Sequence, residues 1–198
     1  MLDGLGGQLT EEQKRQLSRI KQINTRNIQL IADLLNVAKI DRKAMPCDIE
    51  TLTLEKIVEK ATHGYVDQIK DKGLKLQVKG SGEDILVSAD FQKAAEAIKN
   101  VLDNAVRFTE RGTISIEMKS IDHTGLVLVK DTGTGIAGPI LSKLFKKELV
   151  FDNPHPQGGS GLGLYIAKSF MELQDGDLTV SSAVGKGSTF TFKFPRSN

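Results

Sequence analysis

Three short stretches of this chain combine residue types that could hold a phosphorylated ligand. Asn100, Asn104 and Arg107 are spaced i, i+4 and i+7, so on a helix they share one polar stripe. Neutral amide oxygens suit a magnesium ion that also holds phosphate oxygens, and a guanidinium one turn away suits phosphate charge. Taken alone the stripe is weak evidence, because asparagines on a helix more often face solvent. The second stretch, Asp131-Thr132-Gly133-Thr134-Gly135, directly follows the alternating segment Leu126–Lys130. A carboxylate at a strand end can accept a hydrogen bond from an exocyclic amine such as that of adenine, and glycines let backbone approach a flat ring. A glycine turn with a capping aspartate is the plainer alternative. The third stretch, Gly158-Gly159-Ser160-Gly161-Leu162-Gly163-Leu164, runs into Tyr165-Ile166-Ala167-Lys168, which reads as helix. Glycines ahead of a helix N-terminus expose N–H groups where the helix dipole favours anions, a natural phosphate cradle. A flexible linker would not be followed at once by a helix.

Two better-known phosphate motifs do not fit. Gly133, Gly135 and Gly138 match G-x-G-x-x-G, but that fingerprint needs a βαβ unit and a ribose-binding acid about 20 residues on. Here Pro139, a short helix and more glycine loop follow, with no strand before Asp152. Gly185-Lys186-Gly187-Ser188 lacks both the leading glycine and the Lys-Ser/Thr pair of a P-loop.

The elements that must position these stretches can be read from periodicity. Thr10 and Gln13 form a capping-box signal. Leu17, Ile20, Ile31 and Leu34, widened by Ile23, Ile28 and Leu35, then predict an amphipathic helix of roughly 30 residues, about 45 Å long. Nothing in its own segment covers that stripe. Either it packs on its own domain, or it awaits partners in a bundle whose register Asn24 and Asn27 help to set. Pro46 marks the candidate domain boundary. A second helix carries Leu54, Ile57, Val58, Ala61 and Tyr65 on one face and stops at Gly73. Leu74–Val78 and Ile85–Val87 read as strands. Asp90 caps a third helix whose apolar face is Phe91, Ala94, Ala95, Ile98, Leu102 and Ala105. Strands at Thr113–Lys119 and Leu126–Lys130, a helix from about Leu162 to Leu173, and strands near Leu178–Ser181 and Thr189–Phe194 complete the chain. This mixed order predicts an α+β fold, a two-layer α/β sandwich with helices on one face of a mixed sheet, preceded by one long amphipathic helix.

Composition excludes several classes. The formal net charge of +2, without a basic cluster interleaved with aromatics, argues against nucleic acid as a partner. No apolar run approaches a membrane span and no signal-peptide pattern opens the chain, so no membrane contact is expected. The single cysteine, Cys47, rules out an internal disulfide and a thiolate zinc cage; a cytoplasmic setting is expected.

In this order, the asparagine helix, aspartate–glycine turn and glycine loop resemble the ATP-binding domain of sensor histidine kinases, within the wider superfamily that includes type II topoisomerases, a heat-shock chaperone and mismatch-repair ATPases. Asn100 to Thr109 resembles the family's N box, Asp131 to Gly135 its first glycine box and Gly159 to Gly163 its second. Gly185 to Pro195 is similar to its last hairpin, and Leu9 to Ile40 to the second helix of its dimerisation and phosphotransfer bundle. The resemblance implies ATP and magnesium as cofactors, with Asn104 ligating the metal, Asn100 assisting and Arg107 near phosphate. Asp131 with Gly133 and Gly135 would hold adenine; Gly159, Ser160, Gly161, Leu162 and Gly163 would wrap the phosphates. It divides the chain into 1–46, a partial dimerisation and phosphotransfer segment, and 47–198, the catalytic ATP-binding domain. The implied partners are the parent kinase's acceptor-histidine helix, a response regulator and a second copy in a homodimer.

Departures from the family pattern are specific. Phe145 and Phe151 are separated by Lys-Lys-Glu-Leu-Val where the family spaces two phenylalanines closely. The lid, Asp152 to Gln157, is short, has no arginine for the terminal phosphate, and with Gly158 and Gly159 is expected to be mobile without nucleotide; Lys143, Lys146 and Lys147 are the candidate substitutes. None of the three histidines, His63, His123 and His155, has the acceptor's acidic–arginine–threonine–proline surroundings. The expectation is therefore an ATP-binding catalytic portion whose phosphoacceptor lies outside this chain, upstream of Met1. The alternative is a non-catalytic nucleotide-binding regulatory or dimerisation module derived from a histidine kinase. An ATP-driven clamp of the chaperone or topoisomerase kind is disfavoured, because those carry a glutamate general base where Asn100 stands.

Overall fold

In the computed structural model, residues 9–147 and 160–197 are described. Helix α1, Glu11–Asp41, opens on the predicted capping box: the Gln13 N–H donates to Thr10 Oγ1 at 3.2 Å, and the Thr10 N–H donates to Gln13 Oε1 at 2.9 Å. Two N–H groups that a helix start leaves without partners are thereby satisfied. The apolar stripe of α1 faces away from the rest of the molecule. Ile20, Ile23, Ile28, Ile31, Leu34 and Leu35 are each more than half exposed. Only the C-terminal half docks, through Val37 and Ile40 and the buried carboxylate of Asp33.

An extended segment around Pro46 links α1 to β1, Glu50–Thr53. It is stitched down where the Asp48 N–H donates to Asp90 Oδ2 at 3.0 Å. Strand β1, which hydrophobic patterning did not single out, pairs antiparallel with β3, Leu86–Ala89, in a two-stranded ribbon. The second predicted helix is two: α2, Leu54–Thr62, and α3, Val66–Asp71. The break falls at His63-Gly64-Tyr65. Thr62 Oγ1 bonds back to the Val58 carbonyl at 2.8 Å, and the Tyr65 N–H turns to the Thr62 carbonyl at 2.8 Å. Such back-bonding competes with helix continuation, and Gly64 adds the least helical resistance. Gly73 ends α3 with a φ of 73°, as its position suggested.

The main sheet contains β2 (Lys75–Lys79), β4 (Thr113–Ile121), β5 (Thr124–Asp131), β6 (Asp177–Ala183) and β7 (Gly187–Pro195), in the order β2-β4-β5-β7-β6. Only β2 and β4 run parallel, so the sheet is mixed. Alternation covers one face: Ile114, Ile116 and Met118 on β4, and Phe190, Phe192 and Phe194 on β7, are buried. Helices α2, α4 (Phe91–Phe108) and α6 (Gly163–Glu172) supply the opposing layer through Leu54, Ile57, Ile98, Leu102, Ile166 and Phe170. Each such side chain contributes about 1.5–3 kcal/mol by leaving water. This is the predicted two-layer α+β sandwich.

Candidate nucleotide-binding site

Helix α4 starts at its predicted cap, where Asp90 Oδ1 accepts the Lys93 N–H at 3.0 Å. Its buried face of Ala94, Ile98, Val101, Leu102 and Ala105 sets its rotation against the sheet. That rotation leaves Asn100, Asn104 and Arg107 beside a cavity of about 500 Å³. Asn104 lines the cavity, and its Nδ2 donates to the Asn100 carbonyl at 3.2 Å. Asn100 Nδ2 is buried and has no hydrogen-bond partner among the described residues. A buried amide without a partner costs free energy, so it marks a place where a ligand or hydrated ion would restore what folding removed.

Across the cavity β5 delivers Asp131. It is paired in register with Ser188 of β7 and is 5% exposed. Asp131 Oδ1 accepts the Gly133 N–H at 2.8 Å. Burial raises its pKa above the ordinary carboxylate value; hydrogen bonds from Gly133 and Ser188 pull it partly back. The turn that follows is threaded through a narrow gap. A Cβ at Gly133 would lie 2.4 Å from the Phe108 carbonyl oxygen, and one at Gly135, where φ is 69°, would lie 2.0 Å from that of Ala183. Both glycines are there because backbone crosses backbone, so the strand order, as much as any ligand, demands them. Past the turn, Ile136, Ala137, Ile140 and Leu144 form an apolar wall with Phe108, Val184 and Phe190. The wall includes the short helix α5, Gly138–Leu141, in place of a dinucleotide crossover.

The third side is the start of α6. Gly161 adopts a φ of 75°, the Leu162 N–H donates to Ser160 Oγ at 3.1 Å, and no side chain caps the helix. Its first-turn N–H groups are therefore open to an anion. Gly163 lies so close to α4 that a Cβ there would be 3.2 Å from Asn100 Oδ1. The structure thus brings together Asn100, Asn104, Arg107, Asp131, Gly135, Ser160, Gly161 and Gly163 around one cavity. Gly133 and Leu162 support its edges without lining it. Gly159, Gly158, Phe151, His155 and the lid expected at 152–157 lie outside the described residues. His63 caps the end of α2 and His123 sits in the β4–β5 turn, and neither lines the cavity. Lys143, Lys146 and Lys147 do not line it either; Lys147 reaches Asp41 of α1 at 2.9 Å.

One contribution was not foreseen from sequence. Gln29 and Asp33 of α1 also line the cavity. Gln29 Nε2 donates to Asp33 Oδ1 at 2.8 Å, and the Ser160 hydroxyl donates to Asp33 Oδ2. Tyr165 OH donates to Asp41 Oδ1 at 3.1 Å, about two turns further along α1. The i, i+4, i+12 spacing of Gln29, Asp33 and Asp41 is a weak signal that reads equally well as a solvated face.

A profile for histidine kinase-, DNA gyrase B-, and HSP90-like ATPases matches residues 89–198. The chain belongs to this family. Among curated relatives, sensor protein SrrB of Staphylococcus aureus (strain NCTC 8325 / PS 47) is 31% identical over 189 residues, covering 94% of this chain and 32% of SrrB. The chain thus spans about a third of the length of the curated relatives it matches. Among solved structures, full-length ShkA in complex with AMPPNP aligns with a TM-score of 0.81 and 24% identity over 98% of this chain and 41% of that one. Acinetobacter baumannii histidine kinase AdeS aligns with a TM-score of 0.75 and 20% identity over 100% and 90%. At those identities the likeness establishes the fold. The family match and the relatives together make this the ATP-binding catalytic domain of the sensor histidine kinase type.

Proposed function

We propose that this chain binds Mg-ATP and supplies the catalytic portion of a two-component kinase, passing the γ-phosphoryl group to a histidine outside the chain. The observation that carries the nucleotide reading is Asp131, a buried carboxylate that lines the same cavity as Asn104 and an uncapped helix N-terminus. Adenine would lie on the apolar wall and donate its amine to Asp131. The phosphates would run toward Gly161 and Gly163. Among the described residues no group of three or more His, Cys, Asp or Glu side chains could hold a metal. A magnesium ion would be held by Asn104, with Asn100 in its water shell, and by the phosphate oxygens themselves, which suits an ion that keeps much of its hydration. That ion would neutralise phosphate charge; the chain's own groups would orient the nucleotide, and positioning would supply most of the catalysis.

Asn100 favours transfer over hydrolysis, because no carboxylate general base stands at that position to activate water. We assign residues 1–46 to the dimerisation and phosphotransfer segment and 47–198 to the catalytic domain. The partners are the acceptor helix, a second copy and a response regulator, in the cytoplasm. Calorimetric titration with an ATP analogue, with and without magnesium, tests the site: binding should be weak without the metal. Incubation with radiolabelled ATP and a supplied histidine-bearing helix tests the transfer. Acid-labile label on that helix is the expected result. Nucleotide binding without any label would favour the regulatory-module alternative.

A further inference from the structure

The nucleotide cavity carries the wrong charge for its ligand. Its described lining includes three carboxylates, Asp33, Asp103 and Asp131, against one cation, Arg107. Asp131 has its task at the adenine end, but the other two stand near the end where phosphates would lie. Even with a magnesium ion bound, a polyphosphate brought beside them needs more positive charge than the described lining provides, since like charges in a partly dehydrated site repel strongly.

The missing cations stand next door. A second cavity of about 610 Å³ lies between α1 and α4 and shares Gln29, Asp103, Arg107 and Ser160 with the first. Its α1 wall carries Lys21 and Arg26, together with Ser18, Gln22 and Thr25. Ser18, Gln22, Thr25 and Gln29 recur at spacings of three and four, with Lys21 and Arg26 on the two flanks of that stripe, on the side of α1 away from the exposed apolar stripe of Ile20, Ile23, Ile31 and Leu34. Neither Lys21 nor Arg26 makes an ion pair or a side-chain hydrogen bond among the described residues. Both are exposed, and both line the cavity that adjoins the nucleotide site. α1 is held in this place by the Ser160–Asp33 hydrogen bond and by Asp41, which takes both Lys147 and Tyr165.

We propose that Lys21 and Arg26 form a terminal-phosphate subsite, so that the γ-phosphate of a nucleoside triphosphate passes Ser160 and Arg107 and ends between α1 and α4. This rests on the nucleotide reading above and deepens it. The short lid is expected to have no arginine for this phosphate, and α1 supplies the charge instead. Two consequences follow. The site distinguishes ATP from ADP through residues of the helical segment, outside the catalytic layer. ATP also bridges that segment to the catalytic domain, so movement of α1 changes triphosphate affinity.

The test is calorimetric titration of the intact chain with magnesium and either a non-hydrolysable ATP analogue or ADP. In the Lys21→Gln/Arg26→Gln double variant, affinity for the ATP analogue should fall about tenfold, the scale of one charge-assisted contact, with ADP affinity unchanged. Lys21→Arg/Arg26→Lys should retain the preference. The control Arg15→Gln/Arg19→Gln removes the same charge from exposed positions of α1 outside the cavity and should leave both affinities as they were. Equal loss for ATP analogue and ADP, no loss for either, or the same selectivity change in the control overturns the proposal. If the unaltered chain binds neither nucleotide, the nucleotide reading itself fails, a result distinct from failure of the subsite.

Discussion

Replacing Asp131 by asparagine separates recognition from stability, because the carboxylate favours one and costs the other. The side chain is 5% exposed and burial holds its pKa above 3.8. A carboxylic acid whose pKa is raised by folding contributes stability below its unfolded value, and this is lost as pH rises through the folded value. At neutral pH the ionised form is therefore a burden on the free protein. Asparagine keeps an oxygen for the Gly133 N–H, now accepted at 2.8 Å, and removes the buried charge. The free variant should melt at the same temperature as the parent or slightly higher. Binding should suffer, since a charge-assisted hydrogen bond to the adenine amine is worth about 1.5–3 kcal/mol, or roughly ten- to a hundredfold in affinity. Thermal melts with and without Mg-ATP analogue, beside calorimetric titration, read both quantities. In the parent, affinity should fall on acidification at a pH above that expected of an exposed aspartate. Unchanged affinity in Asp131→Asn would refute the adenine assignment. A large drop in the free variant's melting temperature would refute the charge argument.

Gly135→Ala should destabilise the fold by several kcal/mol, since its Cβ would meet the Ala183 carbonyl oxygen at 2.0 Å from a φ of 69°; a denaturant titration close to the parent's would contradict this threading. At Asp90 burial pushes the pKa up, but hydrogen bonds from Asp48 and Lys93 and the Lys93 ion pair at 2.7 Å outweigh it, so the pKa is lowered. Its contribution is present above pH 3.8 and lost as pH falls through the folded value, so Asp90→Ala should cost about 1–3 kcal/mol at neutral pH and less in acid, measured by urea unfolding against pH. This chain incubated alone with radiolabelled ATP should gain no acid-labile label, because neither His63 nor His123 lines the cavity and His155, between two prolines, lacks the acceptor's sequence surroundings; label on any of its histidines would refute this.

Much of the site could be read along the chain because its three parts are local. The capping residues Thr10 and Asp90, the apolar period of α4 and the glycine run before α6 each act within a few residues, so sequence alone placed Asn100, Asn104 and Arg107 on one helix face and Asp131 at a strand end. What sequence could not decide was everything set by chain crossing. Gly133 and Gly135 read as freedom for a ligand, whereas their close contacts are with the Phe108 and Ala183 carbonyls, which only the sheet order brings there. The β1–β3 ribbon depends on pairing partners more than 30 residues away. Above all, α1 reads as a stripe of isoleucines and leucines, while the residues that reach the cavity, Gln29 and Asp33, sit on its polar side. Hydrophobic periodicity reports which face leaves water. It is silent on which polar side chain will meet Ser160 from 127 residues away, because that meeting is set by docking geometry between distant segments.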